Sequence, residues 1–174
     1  MDTILRTQRL LLRRAQAEDA PAMHAIMSDP VAMRYWSTLP HAHLAESEAW
    51  IAGTIAAIKA GRSDDFLVEC DGAVIGKAGL WNGTELGFLF APSVWGKGYA
   101  REAVTAVIAR GFATSGHAEI RAETDPRNEA SLRLLQRLEF RETSRAERTW
   151  CIGGEWSDSV YLALTRPFSG AAGS

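Results

Sequence analysis

The spacing of hydrophobic and polar positions changes its period several times along the chain. An apolar centre at Leu10–Leu12 predicts an opening strand within TILRTQRLLLRR. Glu18 and Asp19 then start a short predicted helix that stops before Pro30. Apolar residues at helical spacing predict a second helix over about Leu44 to Ala60. The first third of the chain therefore predicts one strand and two helices.

Beyond the second helix the period shortens to that of strands. The stretches DFLVEC and AVIGKAGLW flank the Asp71-Gly72 pair, a strong hairpin signal, and TELGFLFAP follows the Asn82-Gly83 turn. Pro92 ends this third stretch. Three sequential strands joined by tight turns predict an antiparallel meander.

A helix and a strand follow the meander and form a βαβ unit with its last strand. Helical spacing covers Ala100 to Ser115, and AEIRAETD is predicted as the next strand. Such a unit implies a parallel pair with a right-handed crossover. NEASLRLLQRLEF is predicted as a fourth helix, with two last strands over about Arg141–Trp150 and Ser157–Thr165. The order β-α-α-β-β-β-α-β-α-β-β predicts an α/β (α+β) domain with a mixed sheet and helices on its faces.

Composition narrows the class of protein. With 174 residues, of which 47% are hydrophobic and 23% charged, we expect one globular domain over residues 1–168 and a flexible tail over residues 169–174. The net charge of −2 argues against a general binder of nucleic acid or membranes. No stretch has an apolar run suited to a signal core or a membrane span, so we expect a cytoplasmic location.

The stretch VWGKGYAREA enters the third predicted helix through two glycines. Helix N-termini expose unpaired N–H groups and a partial positive charge, so they bind anions, and Gly96 and Gly98 would let the backbone approach a phosphate closely. It is no Walker loop, because Lys97 is followed by glycine, and no GxGxxG loop, because Arg101 takes the third glycine's place. The loop alone leaves a plain glycine turn and an anion site both open.

WGKGYAREA after LGFLFAPS, followed about thirty residues later by NEASLRLLQRLEF, resembles the GNAT superfamily of acetyl-CoA-dependent N-acyltransferases. The opening RTQRLLLRRAQAEDA and the closing GGEWSDSVYLAL are similar to its RimJ/RimL-type branch, so the resemblance covers about Thr3 to Thr165. It implies a mixed, mostly antiparallel sheet of about six to seven strands with a splayed βαβ acetyl-CoA site. Glu139 stands where the family usually has a glycine that serves as a left-handed helix cap.

The resemblance implies a ternary complex in which a substrate amine attacks the acetyl-CoA thioester directly. The loop would hold the pyrophosphate, and the strand before it would pair with the pantetheine arm. Asn128 would bond the pantetheine amide, with simple capping of the fourth helix as the alternative. The implied cofactor-binding set is Phe88, Leu89, Phe90, Trp95, Gly96, Lys97, Gly98, Tyr99, Ala100, Arg101, Asn128 and Ser131.

Glu85 and Ser131 are the candidate catalytic residues. The amine must attack in its neutral form, and a carboxylate can remove its proton directly or through water. Glu85 begins the central strand, near the place where several family members carry a catalytic glutamate; a solvated carboxylate is the alternative. Ser131 is the available hydroxyl for the leaving thiolate, because the fourth helix has no tyrosine.

The acceptor is less well marked in the sequence. Aromatic residues are candidates for the pocket wall, with core packing as the alternative: Tyr35, Trp36, Trp81, Trp150 and Trp156. No metal site is expected, since no Cys or carboxylate set accompanies His41 and His43. We expect transfer to a protein or peptide N-terminus or a small amine. A drug- or polyamine-modifying enzyme, which predicts an acidic pocket, and a non-catalytic acyl-CoA-binding module are the alternatives; monomer and homodimer stay open.

Overall fold

A computed structural model describes residues 4–166 of the chain. The strands are β1 (Ile4–Arg6), β2 (Leu11–Arg13), β3 (Ser63–Cys70), β4 (Ala73–Trp81), β5 (Glu85–Phe90), β6 (Glu119–Thr124), β7 (Arg141–Ile152) and β8 (Glu155–Thr165). The helices are α1 (Ala20–Met27), α2 (Leu44–Lys59), α3 (Tyr99–Ser115) and α4 (Glu129–Arg137). The tail predicted over residues 169–174 lies outside the described residues. Among the helices of the described range, none has the length and apolar character that crossing a membrane requires.

The strands form one mixed sheet in the order β1-β2-β3-β4-β5-β6-β8-β7. Every neighbouring pair is antiparallel except β5 and β6, which are parallel and joined through α3. The predicted mixed, mostly antiparallel sheet is thus confirmed, with one strand more than expected. The extra strand arises because a turn, closed by a bond of 3.0 Å from the Thr7 N–H to the Leu10 carbonyl, splits the opening stretch in two.

Both predicted tight turns of the meander are confirmed, and their backbone explains the residue choice. Asp71 and Gly72 have φ of 51° and 79°, and Asn82 and Gly83 have φ of 47° and 76°. Two consecutive residues with positive φ match the right-handed twist of the flanking strands, and Asn, Asp and Gly tolerate this conformation best. The turns fix the register of β3, β4 and β5.

Two hydrophobic clusters hold the helices on opposite faces of the sheet. On one face, buried residues of α3 and α4 such as Val104, Val107 and Leu135 pack against strand residues that include Ile120. On the other face, α1 and α2 cover the side of the sheet that carries Leu67 and Leu89. The other buried members of this cluster are Ala15, Ala20, Met23, Ile26, Met27, Met33 and Ile51. The alternation of strand residues therefore decides which helix pair each side chain meets.

The parallel pair of β5 and β6 is the place where the sheet opens. Glu85 lies opposite Arg121 and Leu86 opposite Ala122, and the pairing of these two strands ends there. β5 continues to Phe90 beside β4, while β6 continues to Thr124 beside β8. The second half of β5 thus has an edge without a strand partner in the described part of the chain.

Candidate active site

The loop before α3 holds its two glycines in conformations that other residues rarely adopt. Gly96 and Gly98 have φ of 74° and 82°. Trp95 ties the loop to the end of β5, because its indole Nε1 donates to the Phe90 carbonyl at 2.9 Å. The indole therefore gives Trp95, at the start of the loop, a structural role.

Helix α3 presents unpaired backbone donors at this loop. The first turn is closed by the Glu102 N–H, which donates to the Gly98 carbonyl at 3.1 Å. The N–H groups of the three preceding residues, Tyr99, Ala100 and Arg101, consequently have no acceptor within the helix. They lie at the positive end of a 17-residue helix. This donor set, with the exposed Lys97 next to it, fits a pyrophosphate group.

The open edge of β5 lies next to that loop. Phe88, Leu89 and Phe90 follow the last pair with β6, so their outward backbone groups are not engaged by a strand. Their side chains are anchored on both faces, with Phe90 in the α3 cluster and Leu89 in the α2 cluster. An anchored strand with a free edge can bond an extended chain that carries amides, as in β-strand addition.

Asn128 and Ser131 lie at the start of α4, just past the end of β6. The Asn128 Oδ1 accepts a bond of 3.2 Å from the Ser131 N–H, so Asn128 caps the helix as the alternative interpretation proposed. Within residues 4–166 the amide nitrogen of Asn128 and the hydroxyl of Ser131 have no protein partner. Capping therefore leaves the Asn128 amide nitrogen and the Ser131 hydroxyl available to bind a cofactor.

A cleft of about 390 Å³ opens on the α1 and α2 face of the sheet, beside the end of β6. Its walls are the segment between α1 and α2, the end of β6, and the β7–β8 hairpin. The hairpin tip meets the segment between α1 and α2, because a Cβ at Gly153 would lie 2.9 Å from the Leu39 Cδ2. Tyr35, Trp36 and Trp150 line the cleft.

Carboxylates are the main charged groups of this cleft: Glu123, Asp125, Glu155 and Asp158. The Glu123 Oε1 accepts from the Trp150 Nε1 at 2.7 Å and from the Ser159 hydroxyl. Asp158 accepts from the Arg148 backbone N–H at 2.9 Å. Within residues 4–166, Glu123 and Asp158 therefore accept hydrogen bonds from neutral donors, and neither forms an ion pair with an arginine.

The other two carboxylates share one arginine. Arg127 lies 2.7 Å from both Asp125 and Glu155. Burial acts to raise the pKa of Asp125, but the hydrogen bonds and charge of Arg127 outweigh it, so this pKa lies below its usual value. Arg127 also lies 5.9 Å from the centre of the Tyr35 ring, so it joins three walls of the cleft.

The structure brings some predicted residues together and leaves others apart. Tyr35 and Trp36 lie in the cleft, whereas Trp81 stacks with Arg62 at 5.7 Å and Trp156 with Arg148 at 4.7 Å, outside it. Both outlying tryptophans are exposed. Glu85 lies at the paired end of β5, four residues or about 13 Å along the strand from Leu89.

Sequence reasoning did not single out Glu123, Asp125 or Ser159. Glu123 belongs to AEIRAETD, whose alternation was interpreted only as a strand. The alternation does carry the relevant signal, because residues 119, 121 and 123 share the face opposite the buried Ile120 and Ala122. Glu123 contacts Trp150 and Ser159 because β6 pairs with β8 and β8 pairs with β7. The local sequence does not specify this pairing.

His41 and His43, which are two residues apart in the sequence, have separate structural roles. His41 and His24 each lie within hydrogen-bond distance of the buried Ser47 hydroxyl, at 2.8 and 2.9 Å. His43 precedes α2, and its N–H donates to Glu46 Oε2 at 2.8 Å. A search of the described residues finds no cluster of three or more His, Cys, Asp or Glu side chains suited to a metal ion.

Comparisons with known proteins agree with this geometry. The family model described as acetyltransferase (GNAT) domain matches residues 9–141. The uncharacterised N-acetyltransferase p20 of Bacillus licheniformis is 32% identical over 150 residues, covering 82% of this chain and 84% of that protein. The [ribosomal protein uS5]-alanine N-acetyltransferase of Escherichia coli is 36% identical over 89 residues, or 51% of this chain and 46% of that protein.

A solved structure shows the same fold. RimL, a ribosomal L7/L12 α-N-protein acetyltransferase determined with coenzyme A, superposes with a TM-score of 0.81 at 18% identity, over 93% of this chain and 97% of that one. The family model covers well over half of the present sequence. The chain therefore belongs to the GNAT acetyltransferase family, and it is an acetyl-CoA-dependent N-acetyltransferase.

Proposed function

We propose that this enzyme transfers the acetyl group to an amine held in the cleft beside β6, through the opening between β5 and β6. The single observation that carries the proposal is the end of β5–β6 pairing after Leu86 and Ala122. The opening has the donor-rich start of α3 on one face of the sheet and the 390 Å³ cleft on the other. A donor and an acceptor can therefore approach the same gap from opposite faces.

The residues of the first face suit acetyl-CoA, which supplies an activated acetyl group as its thioester. The N–H groups at the start of α3, with Lys97, would hold the pyrophosphate. The free edge of β5 would bond the pantetheine amides, and one of its N–H groups can polarise the thioester carbonyl. Ser131, on the α4 side of the gap, would donate a proton or hydrogen bond to the leaving sulfur.

On the cleft side, Glu123 is the carboxylate best placed to take the proton of the amine. It lies at the end of β6 next to the opening, and its hydrogen bonds with Trp150 and Ser159 fix its orientation. Neither partner is a cation, so neither competes with a substrate ammonium group for an ion pair with this side chain. Glu85 stays a prediction, but its place at the paired end of β5 gives it less access to the gap.

Matched glutamine variants separate the two carboxylates. Loss of a general base typically lowers the rate by a factor of about 10²–10⁴. We therefore expect Glu123→Gln to lower kcat by a factor of about 10² or more. The kcat of Glu85→Gln should stay within about twofold of the parent value. Initial rates against an amine panel over a range of pH would measure this. Ser131→Ala should lower kcat while the KM for acetyl-CoA changes little. A normal kcat in Glu123→Gln together with a collapse in Glu85→Gln would reverse the assignment.

Two acceptor classes have support. The printed activities of the uS5-alanine and L7/L12 enzymes support a protein N-terminus. The cleft supports a second candidate, a small amine with an additional positive charge. Its carboxylates outnumber its arginines, Arg34 and Arg127, and in the described part of the chain Glu123 and Asp158 have no arginine partner. Aromatic walls beside these carboxylates also favour a cationic ligand.

A pair of amines of equal length tests the second candidate. Putrescine and n-butylamine differ in one terminal ammonium group, so electrostatic recognition predicts a kcat/KM at least about tenfold higher for putrescine, a difference of about 1.4 kcal/mol. Asp158→Asn should reduce that ratio without changing the rate with n-butylamine. Peptides that begin with alanine or serine, assayed in parallel, would instead dominate if the acceptor is a protein N-terminus.

A further inference from the structure

The turn between β1 and β2 is tied to the first turn of α3, about ninety residues further along the chain. The Glu102 carboxylate accepts from the Thr7 hydroxyl at 2.6 Å, from the Arg9 N–H at 2.8 Å and from the Arg9 Nε at 2.8 Å. Thr7 in turn accepts at its hydroxyl from the Leu10 N–H at 3.1 Å. Three donors on one carboxylate fix both the turn and the start of the helix.

Arg9 extends this connection into the glycine loop. Its Nη1 donates to the Lys97 carbonyl at 3.0 Å, and its guanidinium lies 4.5 Å from the centre of the Tyr99 ring. Its Nη2 passes close to Gly98, where an added Cβ would lie 3.3 Å from it. The planar guanidinium of Arg9 thus contacts Lys97 and Gly98 of the loop and also Tyr99, the first residue of α3.

The bond to Lys97 has a directional consequence for the donors of the site. In a trans peptide the C=O and the following N–H point in opposite directions. Because Arg9 holds the Lys97 carbonyl on its own side, the Gly98 N–H points away from Arg9, and the glycine conformation with φ of 82° leads directly into the helix. Arg9 therefore sets the orientation of the peptide that starts the row of donors.

The contact also offsets an unfavourable negative charge beside the anion site. Glu102 lies in the first turn of α3, where its negative charge would oppose a bound phosphate group. Burial acts to raise the pKa of Glu102, and the bonds from Thr7 and Arg9 with the Arg9 charge outweigh this, so the pKa is lowered and the group is ionised. Arg9 supplies the compensating cation at 2.8 Å.

We infer that Arg9 is a positioning residue of the acetyl-CoA site: it holds the glycine loop and the start of α3 in the form that accepts the pyrophosphate. This rests on the proposed role of the loop. Two fork nitrogens act at once, the Nε on Glu102 and the Nη1 on Lys97. A lysine in the same place offers a single point charge and cannot span both acceptors.

Arg9→Met, Arg9→Lys and Glu102→Gln test the inference, with Arg145→Met as the matched control, since Arg145 forms an exposed pair with Glu142 on β7. Isothermal titration calorimetry measures CoA binding, and hydrogen exchange of the amides of residues 96–102 measures order in the loop. We expect the Kd for CoA to rise about tenfold in Arg9→Met and Arg9→Lys and severalfold in Glu102→Gln. The kcat at saturating acetyl-CoA and the KM of the acceptor should stay within twofold.

Several outcomes would overturn the inference. An unchanged Kd for CoA in a folded Arg9→Met variant would do so, as would full rescue by lysine or an equal change in Arg145→Met. If Arg9→Met does not fold, Glu102→Gln and Arg9→Lys decide alone, because each keeps most of the side-chain volume. Failure of the loop assignment is separately visible: a folded Gly98→Trp variant that still binds CoA would reject the pyrophosphate site itself, whatever the Arg9 variants do.

Discussion

Glu139 occupies a backbone conformation that is unfavourable for any residue with a side chain. Its φ is 68°, in the left-handed region, at the position after the end of α4. The Glu139 N–H donates to the Gln136 carbonyl and the Phe140 N–H to the Leu135 carbonyl, both at 3.0 Å. These bonds form the Schellman motif, in which glycine is the usual residue. The bonds and the burial of Phe140 and Leu135 offset the strain.

Glu139→Gly should accordingly stabilise the protein. The left-handed conformation costs a residue with a Cβ about 1 kcal/mol, so the free energy of unfolding should rise by about that amount. Urea unfolding at pH 7 would measure it. Glu139→Ala is the control, because it removes the carboxylate and keeps the Cβ, and it should change little. An equal gain in both variants would mean that charge, and not backbone conformation, is responsible.

Residue identity predicted both tight turns because each depends on local backbone preference, whereas the glycine position at residue 139 was indicated only by the resemblance to the family. Glu139 was recognised as standing at a glycine position, and the Asp71-Gly72 and Asn82-Gly83 pairs as turns, all of which have positive φ. Glu123 was not recognised as a site residue, because its role depends on Trp150 and Ser159, which lie 27 and 36 residues further on. Local secondary-structure propensity does not indicate that these three side chains lie close together.

At the level of elements, β4 uses a glycine to bring β5 close. A Cβ at Gly76 would lie 2.3 Å from the Leu89 carbonyl oxygen and 2.7 Å from the Phe90 Cδ1. Leu89 and Phe90 belong to the free edge of β5, so any displacement there reaches the proposed pantetheine contact. Gly53, in the middle of α2, differs because no atom lies within 4 Å of an added Cβ.

Alanine at these two glycines should therefore have opposite effects. Gly76→Ala should lower the free energy of unfolding by about 1–3 kcal/mol through overpacking and also raise the KM for acetyl-CoA. Gly53→Ala should raise the free energy of unfolding by up to about 1 kcal/mol, because alanine favours the helix. Thermal and urea unfolding with steady-state kinetics would measure both. A stable Gly76→Ala variant with normal KM would contradict the close packing of β4 on β5.

The order of the elements followed from the sequence, whereas the division of its opening stretch did not. The βαβ unit, the meander and the four helices have clear periodicity and turn residues. The turn between Arg6 and Leu11 contains neither glycine nor proline, so the pattern predicted one strand where there are two. Its geometry is fixed by Thr7 and Arg9 through Glu102 of α3, a contact over more than ninety residues.

For the whole molecule, the same argument explains why the sequence marks a candidate donor side of the site more clearly than a candidate acceptor side. The donor side is one continuous segment from β5 to α3, whose loop and helix start are local features. The acceptor cleft is assembled from the segment between α1 and α2, the end of β6 and the β7–β8 hairpin. No single segment carries its pattern, and only the tertiary fold places Trp36 in the same cleft as Trp150 and Glu123.

Arginine–carboxylate contacts also connect distant parts of the chain. Arg13 lies 2.7 Å from both Asp19 and Glu69, which ties β2 to the start of α1 and to β3. Asp64 of β3 contacts Arg14 and, at 2.8 Å, Arg110 of α3. Arginine–carboxylate pairs therefore join the start of α1 to β2 on one face of the sheet and α3 to β3 on the other.

These contacts predict how stability depends on pH. The hydrogen bond from Arg13 lowers the pKa of Asp19. Burial acts to raise the pKa of Asp64, but the hydrogen bonds from Arg110 and Arg14 outweigh burial, so the pKa of Asp64 is also lowered. Because both folded-state values lie below the usual 3.8, the unfolded chain binds more protons as the pH falls. The stabilisation is thus complete above about pH 5 and is lost as the pH falls from about 4 through the folded-state pKa values.

Asp64→Asn tests this dependence, because it removes one of the two charges without removing side-chain volume. At pH 7 we expect it to lower the free energy of unfolding by about 1–3 kcal/mol, since two arginines lose their shared partner. The difference from the parent should shrink as the pH falls below about 4, because the Asp64 carboxylate takes up a proton in the unfolded chain before it does so in the folded protein. Glu129→Gln, which breaks the exposed pair with Arg133 on α4, should cost about 0.5 kcal/mol or less at pH 7. Urea unfolding at several pH values measures both variants, and a constant difference between parent and Asp64→Asn down to pH 3 would show that Asp64 is not the titrating group.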